Sequence, residues 1–316
     1  MSFEIRASTK DDYPRLIEIF NAIEPDHVET VEGMKEEIRE RDPKCKYGEF
    51  VALQRGVIVA QADYGQFSGM YHPQKFGLWL HTHPDAWDSE VQEVLYQHVL
   101  RELKVYDPIS LLSSTRENRP HELEWLAARG FKETQRTWEN RLRLEEFEPA
   151  RWEPQLERVR EAGYSFKAMR DFEDTPEFRL ELFDLFAECR RDVPRPEPTT
   201  EITFERFVTF TFEGSYLLKE AFVVALDVGG RMVATSALWR TDENGVLNIG
   251  LTGTRADSRR KGLAQGLKIA ALQWAKQNGY LEVRTWNEQD NRAILEINSN
   301  LGFVQRPAWI DLVKTL

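Results

Sequence analysis

A chain of 316 residues exceeds what one hydrophobic core ordinarily serves and points to two domains. Its formal net charge of −11 opposes a nucleic-acid surface, and two cysteines, Cys45 and Cys189, are too few for a disulfide framework, so free thiols in a cytoplasmic protein are expected. No apolar run approaches a membrane span, and the residues around Glu4 and Arg6 lack the long apolar core of a signal peptide.

In chain order, Cys45 between Lys44 and Lys46 reads as an ordinary loop cysteine. His81 and His83 share one strand face, but no third ligand accompanies them, so solvent-facing histidines rather than a metal site are expected. Val91, Val94, Leu95, His98 and Val99 follow a helical period. Glu145 to Gly163 is charged and helix-favouring around Leu156 and Val159, and reads as a linker helix at 148–163. After the stiff loop Asp192 to Pro198 come Phe204, Phe207, Phe210, Phe212 and Tyr216. The three-residue repeat of the first three predicts core packing, with an apolar substrate wall as the alternative.

Val246 to Thr254 then reads as a strand, entered from the turn Asp242-Glu243-Asn244-Gly245. Leu263, Leu267, Ala270, Ala271 and Trp274 give the next helix one apolar face, and Asn278-Gly279 stops it. A strand from Tyr280 to Trp286 follows. Asp290 or Asn291 caps a second helix that buries Ala293, Ile294 and Ile297 and ends at Gly302. Phe303 to Val313 predicts closing strand structure kinked at Pro307.

Between that strand and helix lies Arg259-Arg260-Lys261-Gly262-Leu263-Ala264, a basic, glycine-bearing turn in an otherwise acidic chain. Amides at a helix start have no intrahelical partner and sit at the positive end of the helix dipole, so this turn suits a pyrophosphate. Gly262 permits close approach to the main chain.

Subtracting 172 makes the pattern recur: Phe222-Val223 falls on Phe50-Val51, Leu267 on Leu95, Leu295-Glu296 on Leu123-Glu124 and Gly302-Phe303 on Gly130-Phe131. Two copies of one domain are expected, at 1–147 and 164–316. In the first copy the basic turn is replaced by Trp87-Asp88-Ser89-Glu90-Val91-Gln92, which would repel a phosphate.

Arg259, Gly262 and Ala264, followed by Asn287, Asn291 and Asn300-Leu301-Gly302-Phe303, resemble the GNAT superfamily of acetyl-CoA-dependent N-acyltransferases. The resemblance implies an α/β (α+β) fold of two tandem GNAT-like domains, the first degenerate, each a mixed central sheet flanked by helices and splayed between its fourth and fifth strands, here Val246 to Thr254 and Leu281 to Trp286, where coenzyme A would enter. It implies acetyl-CoA as co-substrate, without a metal. The pantetheine arm would run along Leu251, Thr252, Gly253 and Thr254, the pyrophosphate would be held by Arg259, Arg260, Lys261, Gly262, Leu263 and Ala264, and Asn287 and Asn291 would contact the arm or the acyl carbonyl.

The implied reaction is acetyl transfer to a primary amine of a small molecule or peptide, by a monomer or homodimer with no nucleic-acid or membrane partner. Arg195, Glu197 or Glu201 would supply charge at the rim of the acceptor wall. Many relatives carry a tyrosine acid on the last helix where this sequence has Asn298, which cannot supply a proton. No catalytic acid or base is therefore assigned, and Glu288 and Asp257 read as surface carboxylates. An inactive acyl-CoA-binding or sensing module is the alternative to an enzyme.

Overall fold

A computed structural model describes residues 3–87, 90–195 and 198–316. The strands in chain order are β1 (Glu4–Ala7), β2 (Tyr47–Gln54), β3 (Val57–Gly65), β4 (Lys75–Thr82), β5 (Ser110–Arg116), β6 (Lys132–Arg143), β7 (Ser165–Ala168), β8 (Leu217–Leu226), β9 (Met232–Arg240), β10 (Val246–Thr254), β11 (Glu282–Glu288), β12 (Val304–Gln305) and β13 (Trp309–Thr315). The α-helices are α1 (Tyr13–Ile23), α2 (Val31–Glu40), α3 (Val91–Leu103), α4 (Pro120–Ala127), α5 (Glu153–Glu161), α6 (Pro176–Arg191), α7 (Phe204–Val208), α8 (Leu263–Gln277) and α9 (Arg292–Asn300).

Two compact units result. One contains the described residues up to Gln135 together with Trp309–Leu316; the other runs from Arg136 and includes Glu201–Ala308. The first carries a sheet ordered β1-β2-β3-β4-β5-β13 and the second a sheet ordered β7-β8-β9-β10-β11-β6, with β12 also on β6. Each sheet has one parallel pair, β4 with β5 and β10 with β11, among antiparallel neighbours. The internal repeat is visible in the elements: α3, β5 and α4 begin at Val91, Ser110 and Pro120, and α8, β11 and α9 begin at Leu263, Glu282 and Arg292, each 172 residues on.

The closing strand of each sheet comes from the other half of the sequence. β13 pairs β5 from Trp309↔Arg116 to Thr315↔Ser110, whereas β6 pairs β11 from Glu282↔Arg143 to Glu288↔Thr137. A division at 147 and 164 therefore leaves neither sheet complete. The closing structure expected at Phe303 to Val313 is likewise two strands on either side of Pro307, of which β12 pairs β6 and β13 pairs β5. The stretch 148–163 holds α5, which packs into the second unit. Leu156 and Val159 on α5 are 3% and 2% exposed, inside the apolar clusters of the second unit that contain Ile269, Leu272, Leu263 and Leu267.

Local chemistry accounts for the elements that frame the site. β8 and β9 are apolar almost throughout and buried on both faces, as befits central strands between helical layers. α6 starts where the Thr175 hydroxyl accepts from the Phe178 amide at 3.2 Å and Pro176 fills the first helical turn. Gly279 and Gly302, at φ +79° and +93°, end α8 and α9 in the left-handed conformation.

Candidate functional site

β10 and β11 run together only at Val246↔Glu282, Leu247↔Val283 and Asn248↔Arg284. Beyond this, β10 follows β9 (Thr252↔Ser236, Gly253↔Thr235, Thr254↔Ala234) and β11 follows β6. The two strands thus part, and from Gly250 to Thr254 one edge of β10 has no neighbouring strand among the described pairings. A register shift between Ile249 and Thr252 marks the departure. Leu251, Thr252, Gly253 and Thr254 all lie on that open edge.

Two glycines allow the packing around it. A Cβ on Gly250 would stand 2.4 Å from Trp239 Nε1, and one on Gly253 would stand 2.4 Å from Cys189 Cβ, where α6 crosses β10. Burial pushes the Cys189 thiol up to about 12, which makes it an inert packing group.

Past Thr254, Arg255 anchors the turn: its Nε donates to the Met232 carbonyl at 2.8 Å and its Nη1 to Glu188 at 2.5 Å. Arg260 and Gly262 both take positive φ, +62° and +79°, immediately before Leu263 opens α8. The first bond of that helix is Gly266 N–H to Gly262 O at 2.9 Å, so the amides of Leu263 and Ala264 have no intrahelical acceptor. Leu263 contributes only main chain there, its side chain being 2% exposed in the core.

Glycine at 262 has a second reason beyond approach of an anion. Its backbone is left-handed, and a Cβ there would lie 2.6 Å from Nε2 of Gln155 on α5. The neighbouring cations are arranged unequally. Arg259 pairs with Asp192 and donates to the Thr254 carbonyl at 3.2 Å, and Lys261 Nζ meets the Tyr164 hydroxyl at 2.8 Å. Arg260 has no ion-pair partner among the described residues.

Asn287, near the end of β11, stands three residues beyond the last β10–β11 pair. Its Oδ1 accepts from Nδ2 of Asn298 on α9 at 2.6 Å, and Asn298 Oδ1 accepts from Nζ of Lys268 on α8 at 2.8 Å. Lys268 and Asn298 are both 0% exposed, and burial lowers the lysine to about 7. Sequence reasoning passed over Lys268; the signal that could have found it is a lysine spaced with the buried residues of α8, four before Leu272 and seven before Ala275. Asn291 belongs elsewhere: it precedes α9, makes no side-chain cap, and its N–H donates to Glu288 O at 2.9 Å. Of the positions expected to be buried on α9, Ile294 is buried, Ile297 half-buried and Ala293 exposed, and Asn298 is buried as well.

The aromatic segment before the sheet is mostly core. Phe207 is 0% exposed with Phe183, Phe186, Phe210 and Phe212 around it at centroid distances of 5.2–6.1 Å. Phe210 also stacks on Trp239 at 6.0 Å, the tryptophan that covers Gly250, so this cluster extends to the open edge of β10. The Arg195 guanidinium donates to the carbonyls of Arg190 and Val193, and partial burial lowers it while Glu288 acts to raise it. Asp257 pairs with Arg231 at the surface, Glu201 faces Arg191 at 4.0 Å, and Glu197 lies outside the described residues.

The first unit keeps the parting strands without the cradle. β4 and β5 pair in parallel only from Lys75↔Ser110 to Gly77↔Leu112. α3, the counterpart of α8, follows Glu90 at φ −73° rather than a left-handed glycine; Asp88 and Ser89 lie outside the described residues. His81 corrects the expectation of a solvent-facing pair. Its Nδ1 is 2.9 Å from Gln61 Nε2, Phe20 meets it edge-on at 5.7 Å, and burial lowers it to about 4. Among the described residues there is no cluster of metal-binding side chains and no helix long and apolar enough to cross a membrane.

A sequence model of the acetyltransferase (GNAT) family matches residues 179–303, from α6 through α9. Two solved structures share the fold over nearly the whole chain. A tandem GNAT protein from the clavulanic acid biosynthesis pathway aligns with TM-score 0.77 at 16% identity, covering 99% of this chain and 98% of its own. A GCN5-related N-acetyltransferase from Sphaerobacter thermophilus aligns with TM-score 0.75 at 16% identity, covering 99% and 95%. No curated protein sequence matches the chain.

Proposed function

We propose that this protein is a cytoplasmic N-acetyltransferase that moves an acetyl group from acetyl-CoA to a primary amine, a reading supported by the GNAT-family match over residues 179–303 and by the tandem GNAT fold of the chain. The observation that carries the proposal is the open edge of β10 leading into the left-handed turn at Arg260 and Gly262. An extended amide-bearing arm matches a strand edge that lacks a neighbour. A diphosphate matches the unpaired amides of Leu263 and Ala264 beside three cations. The residues present therefore fit acetyl-CoA, with Leu251 to Thr254 along the arm, Arg259 to Ala264 at the diphosphate, and Asn287 near the acyl end. Asn291, tied to the turn before α9, is the weaker contact in this reading. The first unit, lacking the cradle, has a structural or acceptor-shaping role. The acceptor is a small-molecule or peptide amine, with Phe210 and Trp239 forming an apolar wall and Arg195 and Glu288 its charged rim. A monomer or homodimer without nucleic-acid or membrane partners completes the proposal.

The thioester supplies an activated acyl group, so the protein must bind the acceptor amine in its neutral form and steady the developing negative oxygen. Calorimetric titration of acetyl-CoA into wild type and Gly262→Asp tests the carrier site. A loss of at least about 1.4 kcal/mol, tenfold in affinity, is expected in the variant, whose folding is verified by its melting curve. Equal affinity would reject the site. Thiol release across a panel of amines tests turnover; binding without release for every amine would leave a binding module instead.

A further inference from the structure

Lys268 carries a buried amino group that the binding residues above do not use. It is 0% exposed, its Nζ lies 5.7 Å from the Phe303 ring centroid, and its one hydrogen-bond acceptor among the described residues is Asn298 Oδ1. Desolvating an amino group without a carboxylate is costly, and a leucine or methionine would fill the same space without that cost. What the lysine adds is direction. Its Nζ donates to Asn298, so the oxygen of that amide faces α8 and its NH2 faces β11, where it donates to Asn287 Oδ1. Asn287 is thereby turned with its own NH2 away from the chain of bonds. With the lysine protonated, reversing Asn298 would set its NH2 against the ammonium Nζ and its oxygen against the oxygen of Asn287, two mismatched contacts in a dry interior.

We propose that Lys268, Asn298 and Asn287 form a one-way hydrogen-bond chain that holds the Asn287 NH2 as a donor toward the thioester carbonyl of acetyl-CoA at the gap between β10 and β11. This deepens the carrier reading and rests on it. Lys268 and Asn298 are positioning residues; Asn287 is the group that meets the carbonyl. The chain also accounts for an amide at Asn298, because an amide both accepts from the lysine and donates onward to Asn287.

The test compares acetyl-CoA with S-ethyl-coenzyme A, which lacks only the carbonyl oxygen, by calorimetry on wild type, Lys268→Met and Asn287→Leu. Wild type is expected to prefer acetyl-CoA at least fivefold. Both variants should lose that preference to within twofold, and Lys268→Met, which removes no carrier contact, should bind the S-ethyl compound as wild type does. A purely structural lysine would not produce this pattern, since it would alter both affinities together or neither. If Lys268→Met does not fold, Asn298→Asp, which still accepts from the lysine but cannot donate to Asn287, is expected to lose the preference in the same way. Retained preference in a folded variant, or no preference in wild type, overturns the hydrogen-bond chain and leaves the carrier site standing. Failure of wild type to bind either compound overturns both.

Discussion

At the residue scale, Lys268 makes a stability measurement sensitive to pH. Its folded value is about 7 against an ordinary 10.5. Between those values the unfolded chain holds a proton that the folded one has released, so stability rises with pH, by up to about 1.4 kcal/mol per unit. Below pH 7 both states are protonated and the penalty is constant; above 10.5 both are neutral and it vanishes. Urea unfolding of wild type and Lys268→Met from pH 6 to 10 checks this. The wild-type curve should climb toward that of the variant above pH 7. Parallel curves would mean that the lysine is solvated. Sequence alone marked Gly262 and the neighbouring cations, because a basic, glycine-bearing turn before a helix has a chemical signature. It did not expose Gln155 beneath Gly262, or Asn287 joined to Asn298, because those contacts depend on how α5, α8 and α9 pack.

At the element scale, the strand at Val246–Thr254 and the helix after it were legible because β-branched runs and the 3.6-residue period are local properties. The parting of β10 from β11 is not a local property, since it depends on β11 following β6 and β10 following β9; it is expected only through the GNAT resemblance, which implies a splay between these two strands. The three-residue repeat of Phe204, Phe207 and Phe210 was readable as packing, and the structure assigns its weight to Phe207. Phe207→Ala is expected to cost about 3–5 kcal/mol, because the rings of Phe183, Phe186, Phe210 and Phe212 cannot all collapse into the space left. A shift in the urea midpoint measures it. A loss under 1 kcal/mol would show that this cluster repacks freely.

At the scale of the whole molecule, the 172-residue repeat was visible in sequence, whereas the exchange of closing strands was not. Each of β6 and β13 is a plausible strand on its own, and nothing local says which sheet it joins. Stopping the chain after Ala308 removes β13 and leaves β5 without its antiparallel partner over Ser110 to Arg116. The first unit of that truncated protein is expected to lose protection of its β5 amides from hydrogen exchange, while the β8 and β9 amides of the second unit stay protected. Full protection of β5 would show that the sheet does not depend on β13.

The same exchange sets an order of events during translation. β5 emerges early, but the segment that covers its edge is made roughly 170 residues after Gln135, some 9–35 s later at ribosomal speeds of about 5–20 residues per second. For that interval the nascent first half presents a bare row of peptide groups to the crowded cell. Seven polypeptide rungs must wait for a partner that has not yet been synthesised. Slowing elongation over the second half should therefore lengthen chaperone occupancy on the first.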